Sequence, residues 1–480
     1  MNLAEVRRFL DRRWDEALIP RLADYVKVPA KSPAFDASWA AHGYLQAVVQ
    51  DAYGWAAAQR IAGMMLEIVS IEGRTPCLFF DVPATGGLGN ARTVLFYGHL
   101  DKQPEMEGWR EGLGPWQPVI EDGRLYGRGA ADDGYAIYAA LSVVAALDAQ
   151  AVARPRCVGI IETCEESGSP DLPAYLELLA PRFGDVALVA GLDSGCGSYD
   201  RLWVTTSLRG LAGGTLTVEV LSEGVHSGNA SGLVPSSMRI ARQVMNRIDD
   251  PATGRVLAEI FNAEIPAERL AQAQAAGRIL GEQVWKQFPW IGCSHGEGGQ
   301  AHAMPTTTDP VEGILARTWR PALSVTGAAG FPGIDSAGNV LRPKTTFKLS
   351  LRLPPTVDGP RATQALKRLL EENPPYNARV SFAADWGASG WNAPATAPWL
   401  ARAADEASRA AFGRDAAWMG EGGTIPFMNL LGEKFPRAQF LTTGVLGPRS
   451  NAHGPNEFLH IDCVKRLSAA VASVVAAVPA

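Results

Sequence analysis

Apolar residues at Leu3, Val6, Leu10, Trp14 and Leu18 recur at helical spacing, which predicts a helix over residues 3–26 packed on a core. Farther along, the apolar residues run together instead. TVLFYGHLD (93–101), VGIIETCEES (158–167), VALVAGLDSG (186–195) and QFLTTGVLG (439–447) are short apolar stretches that end abruptly in polar residues. Near-continuous runs of this length suit parallel strands buried on both faces. Helical stretches such as GYAIYAALSVVAALDAQ (134–150) separate them. The alternation predicts an α/β fold with a mixed, mostly parallel sheet sandwiched by helices.

Between about 208 and 385 the pattern changes. TLTVEVLSE (215–223) and TTFKLSLRLPP (345–355) alternate apolar with polar, the mark of a half-buried antiparallel sheet. Two helix patterns, around 235–248 and 361–372, lie among these strands, and ARVSFAADW (378–386) supplies a last one. The order resembles a split β-α-β unit with insertions. The expected organisation is a discontinuous domain over 1–207 and 386–480, with an α+β domain over 208–385 inserted in it.

Composition narrows the picture. The chain has 480 residues, 47% of them hydrophobic, enough for a large core without disulfides or a structural metal. Its net charge is -6 and no basic block stands out, so no nucleic-acid partner is expected. Cys77, Cys157, Cys164, Cys196, Cys293 and Cys463 form no CxxC pair and read as reduced thiols. The first residues lack the apolar core of a signal peptide, and no run is long enough to span a membrane. A cytoplasmic enzyme is the resulting expectation.

The chemistry gathers where the predicted strands end. His99-Leu100-Asp101 closes the first, Glu165-Glu166 the second and Asp193 the third; His453 follows the fourth, and Asp132-Asp133 precedes the long helix. Ligands of open α/β sheets sit beyond the carboxyl ends of the strands. So many carboxylates together would repel one another, and divalent cations resolve that conflict. Two ions sharing a ligand fit these groups, with imidazole and carboxylate favouring zinc, cobalt or manganese over magnesium. In such an arrangement His99 and Asp193 hold one ion, Glu166 and His453 the other, and Asp132 bridges. Asp101 shares a strand face with His99 and is placed to orient its imidazole. Glu165 points away from Glu166 if strand geometry persists there, and is then free to act as general base.

At this point the sequence resembles a family. GHLDKQPEMEGW (98–109), DGRLYGRGAADDG (122–134), ETCEESGSPDL (162–172) and SNAHGPNEF (450–458) look like the signature blocks of the co-catalytic metallopeptidases, and EGGTIP (421–426) is closest to their dipeptidase branch. That family includes cytosolic nonspecific dipeptidase, carnosinase, carboxypeptidase G and acetylornithine deacetylase. The resemblance implies the same ligand pairs, with Asp132 shared, Glu165 as base, Asp101 orienting His99, and a cis peptide between Asp132 and Asp133. It implies that the inserted domain is a lid through which a homodimer forms. His226, in GVHSG (224–228), would reach the partner subunit's site, and Arg352, in LSLRLPP, would bind the substrate's terminal carboxylate with backbone near Gly423 and Thr424. One departure stands out: many members have Lys after the paired Asp, where this chain has Gly134.

Blander readings compete with some of these residues. His460 lies seven residues beyond His453, but FLHID reads as a helix start and SNAHGPNE as a loop. His42, His295 and His302 have no supporting pattern and read as structural. The expected activity is dipeptide hydrolysis with two divalent ions; an N-acyl amino acid deacylase or carboxypeptidase, and a non-catalytic binding protein of the same fold, are the alternatives.

Overall fold

The computed structural model describes residues 1–288, 290–291 and 303–479, so Cys293, His295 and His302 lie outside the described residues. The chain divides into two units, one comprising Met1–Thr206, Ala393–Met419 and Leu430–Ala480, the other Ser207–Asn392 and Gly420–Asn429.

The first unit is built on a six-stranded sheet in the spatial order Met65–Val69, Cys77–Val82, Arg156–Glu162, Arg92–His99, Asp185–Gly191, Gln439–Thr442. The last four are parallel neighbours and are the four apolar runs of the sequence. The first two run antiparallel, which makes the sheet mixed. Helix Ala136–Ala149 is buried on nearly every side, which is why its sequence is apolar throughout rather than striped. The predicted N-terminal helix is continuous from Leu3 to Val26, with one wider turn at Trp14–Leu18. It buries Val6, Leu10, Trp14, Leu18 and Leu22 completely. Each such side chain contributes about 1.5–3 kcal/mol.

The second unit carries an antiparallel four-stranded sheet in the order Ala322–Ala329, Lys344–Leu353, Gly210–Glu219, Arg379–Ala388. Alternate residues of Lys344–Leu353 are buried, as its sequence pattern requires. Helices Ser237–Met245 and Gly359–Glu371 pack their apolar stripes, including Ile240, Val244, Leu366 and Leu370, into the same core. The boundary differs from the expected 385/386. The ladder between Arg379–Ala388 and Gly210–Glu219 continues to Ala388, and Trp391–Asn392 pairs with Ser207–Leu208. Gly420–Asn429 also belongs here, because the Arg209 side chain donates to the Gly422 carbonyl at 3.2 Å.

Cys77, Cys157, Cys164 and Cys463 are free and buried, and Cys196 is buried. Among the described residues, no helix is long and apolar enough to cross a membrane.

Candidate metal centre

Parallel strands all deliver their C-terminal ends to one edge of a sheet, so three chain segments converge in the first unit. His99 ends the strand that lies between Arg156–Glu162 and Asp185–Gly191, directly opposite Glu162. Glu165 and Glu166 follow that neighbour, and Asp193 follows the other. The turn carrying Asp132 and Asp133 presses against the same strand. A Cβ on Gly98 would lie 2.5 Å from Ala136 Cβ and 2.7 Å from Asp133 Oδ2, so only glycine permits this approach. Asp133 Oδ2 accepts the His99 N–H at 3.2 Å, and the Asp132–Asp133 peptide is cis.

Around His99 Nε2 lie Asp132 Oδ1 at 3.7 Å, Asp193 Oδ2 at 3.8 Å and Glu165 Oε2 at 4.0 Å. His453 Nε2 stands 3.0 Å from Asp132 Oδ2 and 3.4 Å from Glu166 Oε2. Asp132 thus faces both imidazoles, one with each oxygen. Two sets of three donors, His99–Asp132–Glu166 and His99–Glu165–Asp193, have ligand atoms all within 4.8 Å of one another.

Two observations show that these residues fit divalent cations. His99 Nε2 and Asp132 Oδ2 are buried with no hydrogen-bond partner, Asp132 Oδ2 being close to His453 but not aligned with it. Buried polar atoms are rarely left so. The charges also conflict. Burial, with the Asp193 charge, pushes the Glu165 carboxyl well up, and burial, with Asp132, pushes Glu166 to about 8. Burial likewise raises Asp193 to about 7 against the opposing pull of His99. Burial would lower both imidazoles, but their carboxylate neighbours outweigh it: His99 is held well above its usual value and His453 at about 9. Burial would raise Asp132 too, but His453 and His99 hold it low. Cations sitting among these donors relieve the repulsion and fill the orphaned atoms.

Two expectations require correction in detail. Strand geometry does not persist to Glu165: the strand stops at Glu162, and Glu165–Ser167 form a single tight helical turn. The two acids still diverge, Glu165 toward His99 and Glu166 toward His453. Asp101 does not orient His99 by its carboxylate alone. His99 Nδ1 lies 3.0 Å from the Asp101 carbonyl and 3.5 Å from Oδ1. The Asp101 carboxylate accepts the N–H groups of Glu165 at 3.1 Å and Glu166 at 3.0 Å. It therefore holds the glutamate turn as well as the imidazole.

Some participants were not foreseen. Gln103 Nε2 donates to Glu166 Oε2 at 2.5 Å; its place two residues after Asp101 was the available signal. The departure at Gly134 now has a cause. A Cβ there would lie 2.1 Å from Tyr25 Cε1 and 2.7 Å from the Gly129 carbonyl. Tyr25 is fixed by its hydroxyl, which donates to the Leu100 carbonyl at 3.0 Å, and by Lys102, whose ammonium sits 3.8 Å from the ring centroid. Lys102 in turn donates to the Tyr25 and Val28 carbonyls at 2.7 and 2.8 Å. A lysine thus stands after Asp101 in a chain that has none after the aspartate pair.

His460 caps the last helix, Nδ1 accepting the Cys463 N–H at 3.2 Å, and His42 pairs with Asp36 at 2.7 Å. In the second unit, His226 is exposed beside a short two-stranded pairing with Val340. Arg352, half-buried, donates to Thr424 Oγ1 at 2.8 Å, and a Cβ on Gly423 would meet nothing within 4 Å.

The chain is 28% identical over 356 residues to the Cys-Gly metallodipeptidase DUG1 of Saccharomyces cerevisiae, spanning 70% of this chain and 69% of that one. It is 26% identical over 365 residues to the human Beta-Ala-His dipeptidase, spanning 71% of this chain and 66% of that one. The solved structure of the dipeptidase Dug1p from Saccharomyces cerevisiae shares the fold, with a TM-score of 0.76, 22% identity and coverage of 99% of this chain and 98% of that one. Residues 95–477 match Peptidase family M20/M25/M40. The donors at the strand ends and the match over most of the chain agree: this protein is a metallopeptidase and belongs to Peptidase family M20/M25/M40.

Proposed function

We propose that the protein hydrolyses dipeptides, with His99 and Asp193 holding one divalent cation, Glu166 and His453 a second, and Asp132 shared. Zinc suits this donor set best, with manganese or cobalt able to take the same places. When bound, the ions would supply Lewis acidity and neutralise the carboxylates. Glu165 accepts a proton from the attacking water and returns it to the leaving amine. Its position beside His99, 4.0 Å from Nε2, suits that exchange. Asp101 keeps the Glu165–Glu166 turn and the His99 ring in place. The first unit is the catalytic domain and the second its lid. There Arg352 takes the terminal carboxylate of the substrate with its guanidinium fork, supported by Thr424 and the backbone at Gly423. His226 acts on the oxyanion in the site of a second copy, which makes the working form a homodimer. Four buried free thiols among the described residues fit a reducing compartment, and we place the enzyme in the cytoplasm.

The observation that carries this reading is the orphaned pair His99 Nε2 and Asp132 Oδ2 amid four acids, in a chain whose relatives bear dipeptidase names. A screen of dipeptides beside N-acetyl and N-succinyl amino acids, with zinc, manganese and cobalt added in turn, tests it. Turnover of dipeptides is expected; turnover of acylated amino acids alone would move the assignment to a deacylase. Glu165→Gln should bind two ions and lose ~10²–10⁴-fold in kcat.

A further inference from the structure

Arg128 lies between two glycines of the Gly127-Arg128-Gly129 stretch, and its side chain is only 1% exposed. A buried guanidinium needs a partner for every N–H group, and these partners come from three places in the chain. Its Nε donates to the Pro104 carbonyl at 3.1 Å. One terminal nitrogen pairs with Glu457 at 2.6 Å. The other donates to the carbonyls of His453 at 3.1 Å and Gly454 at 2.9 Å. The second oxygen of Glu457, also fully buried, accepts the Gly129 N–H at 2.9 Å.

The loop so gripped is an unusual one. Arg449, Asn451, His453 and Asn456 all have positive φ, between 56° and 67°, although none is glycine. Backbone in this region persists only where its surroundings hold it. His453 itself is 56% exposed on its side chain, so packing around the imidazole does not fix it. Besides bonds within the loop, such as the Gly454 N–H to the Asn451 carbonyl at 2.9 Å, its own carbonyl is held by a side chain four positions before Asp132. Arg128 therefore sets the distance between His453 and the Asp132 turn, the two groups that face one another at 3.0 Å.

We infer that Arg128 is a positioning residue for one ion of the pair, the one served by His453, Glu166 and Asp132, and not for the ion of His99 and Asp193. This rests on the two-ion reading above. A lysine cannot replace it, because one ammonium cannot span Glu457 and three carbonyls in a planar fork. Loss of a group that orients a ligand typically weakens metal affinity ~10–100-fold.

Zinc titration of the full-length protein, with bound zinc counted after dialysis and affinities read by competition with a chromophoric chelator, tests the inference. The wild type should hold two ions. Arg128→Lys, which keeps a positive charge beside Glu457, should hold one with wild-type affinity and the other ~10–100-fold more weakly. Arg128→Met combined with Glu457→Met removes both charges at once and should behave alike, as should His453→Ala. Melting of each variant without zinc reports its folding separately. Retention of both ions at wild-type affinity in either Arg128 variant overturns the inference, and so does parallel weakening of both ions. A wild type holding fewer than two ions would instead defeat the two-ion reading.

Discussion

Gly134→Ala adds one methyl group at the turn that bears Asp132, and the structure gives its cost. The new Cβ would stand 2.1 Å from Tyr25 Cε1 and 2.7 Å from the Gly129 carbonyl. Neither neighbour is a flexible chain end: one is backbone, the other a ring 3% exposed and tethered through its hydroxyl to the Leu100 carbonyl. Overpacking of this kind costs about 1–3 kcal/mol, and the strained hydroxyl contact about 1 more. The backbone of Gly134 is not left-handed, so alanine returns about 0.4–1 kcal/mol by restricting the unfolded chain. The net is about 2 kcal/mol. With unfolding entropy of about 2.1 cal/mol/K per residue, a unit of roughly 280 residues should melt about 3–4 °C lower. Differential scanning calorimetry at fixed zinc reads this directly. Tyr25→Ala supplies the control: it is itself destabilising, but in that background Gly134→Ala should cost less, because only the contact with the Gly129 carbonyl remains. A coupling of about 1 kcal/mol between the two positions is therefore expected. If the two changes prove additive, or if Gly134→Ala melts with the wild type, Tyr25 is not the reason this position is glycine.

Arg352→Met should raise KM about 10–100-fold for dipeptides with a free C-terminus and change little for their C-terminal amides, because hydrogen bonds to charged groups are worth about 1.5–3 kcal/mol. Steady-state kinetics on matched acid and amide substrates decide it. Stripping the ions with a chelator should lower the melting temperature, since zinc at a thousandfold its Kd stabilises by about 4 kcal/mol per site; scanning the stripped and reloaded protein measures the shift. Burial pushes Glu162 up to about 7 from the usual 4.5, so its contribution to stability is complete below about 4.5 and is lost as pH rises through about 7. Glu162→Gln should therefore flatten the fall in stability of the zinc-loaded protein between these values by about 3 kcal/mol. Melts across that range should give parallel pH slopes for the two proteins if the reasoning is wrong.

The parallel part of the sheet was legible because strands covered on both faces must be apolar throughout, and three of the runs are closed by the candidate donors that the structure gathers. His99, Glu165, Glu166 and Asp193 were found that way. The antiparallel strands Met65–Val69 and Cys77–Val82 went unnamed: no ligand marks their ends, and the first is largely exposed on alternate residues. Spacing placed Asp101 beside the His99 imidazole but gave no sign of its hold on the glutamate turn, and the roles of Arg128 and Gly134 could not be read from spacing at all. Asp101 holds backbone amides 64 and 65 residues away, and Arg128 grips carbonyls 325 and 326 residues away. Tyr25 and Gly134 meet through the bulk of a ring, which leaves no periodicity in either segment. His453 was separable from His460 only because loop and helix-start compositions differ.

The order of the strands also bears on how the protein is made. Gln439–Thr442 pairs with Asp185–Gly191, its sequence neighbour in the sheet by a gap of roughly 250 residues. At about 5–20 residues per second, a ribosome would need on the order of ten to fifty seconds to synthesise that gap. During this interval the Asp185–Gly191 strand has an open edge, and the acidic cluster lacks the histidine that arrives after Gln439–Thr442. An unpaired parallel edge invites association with other chains. The nascent polypeptide therefore passes through a stage in which a chaperone would protect it, and a shortage of chaperone during synthesis would show first as lost yield of folded protein rather than as slow turnover.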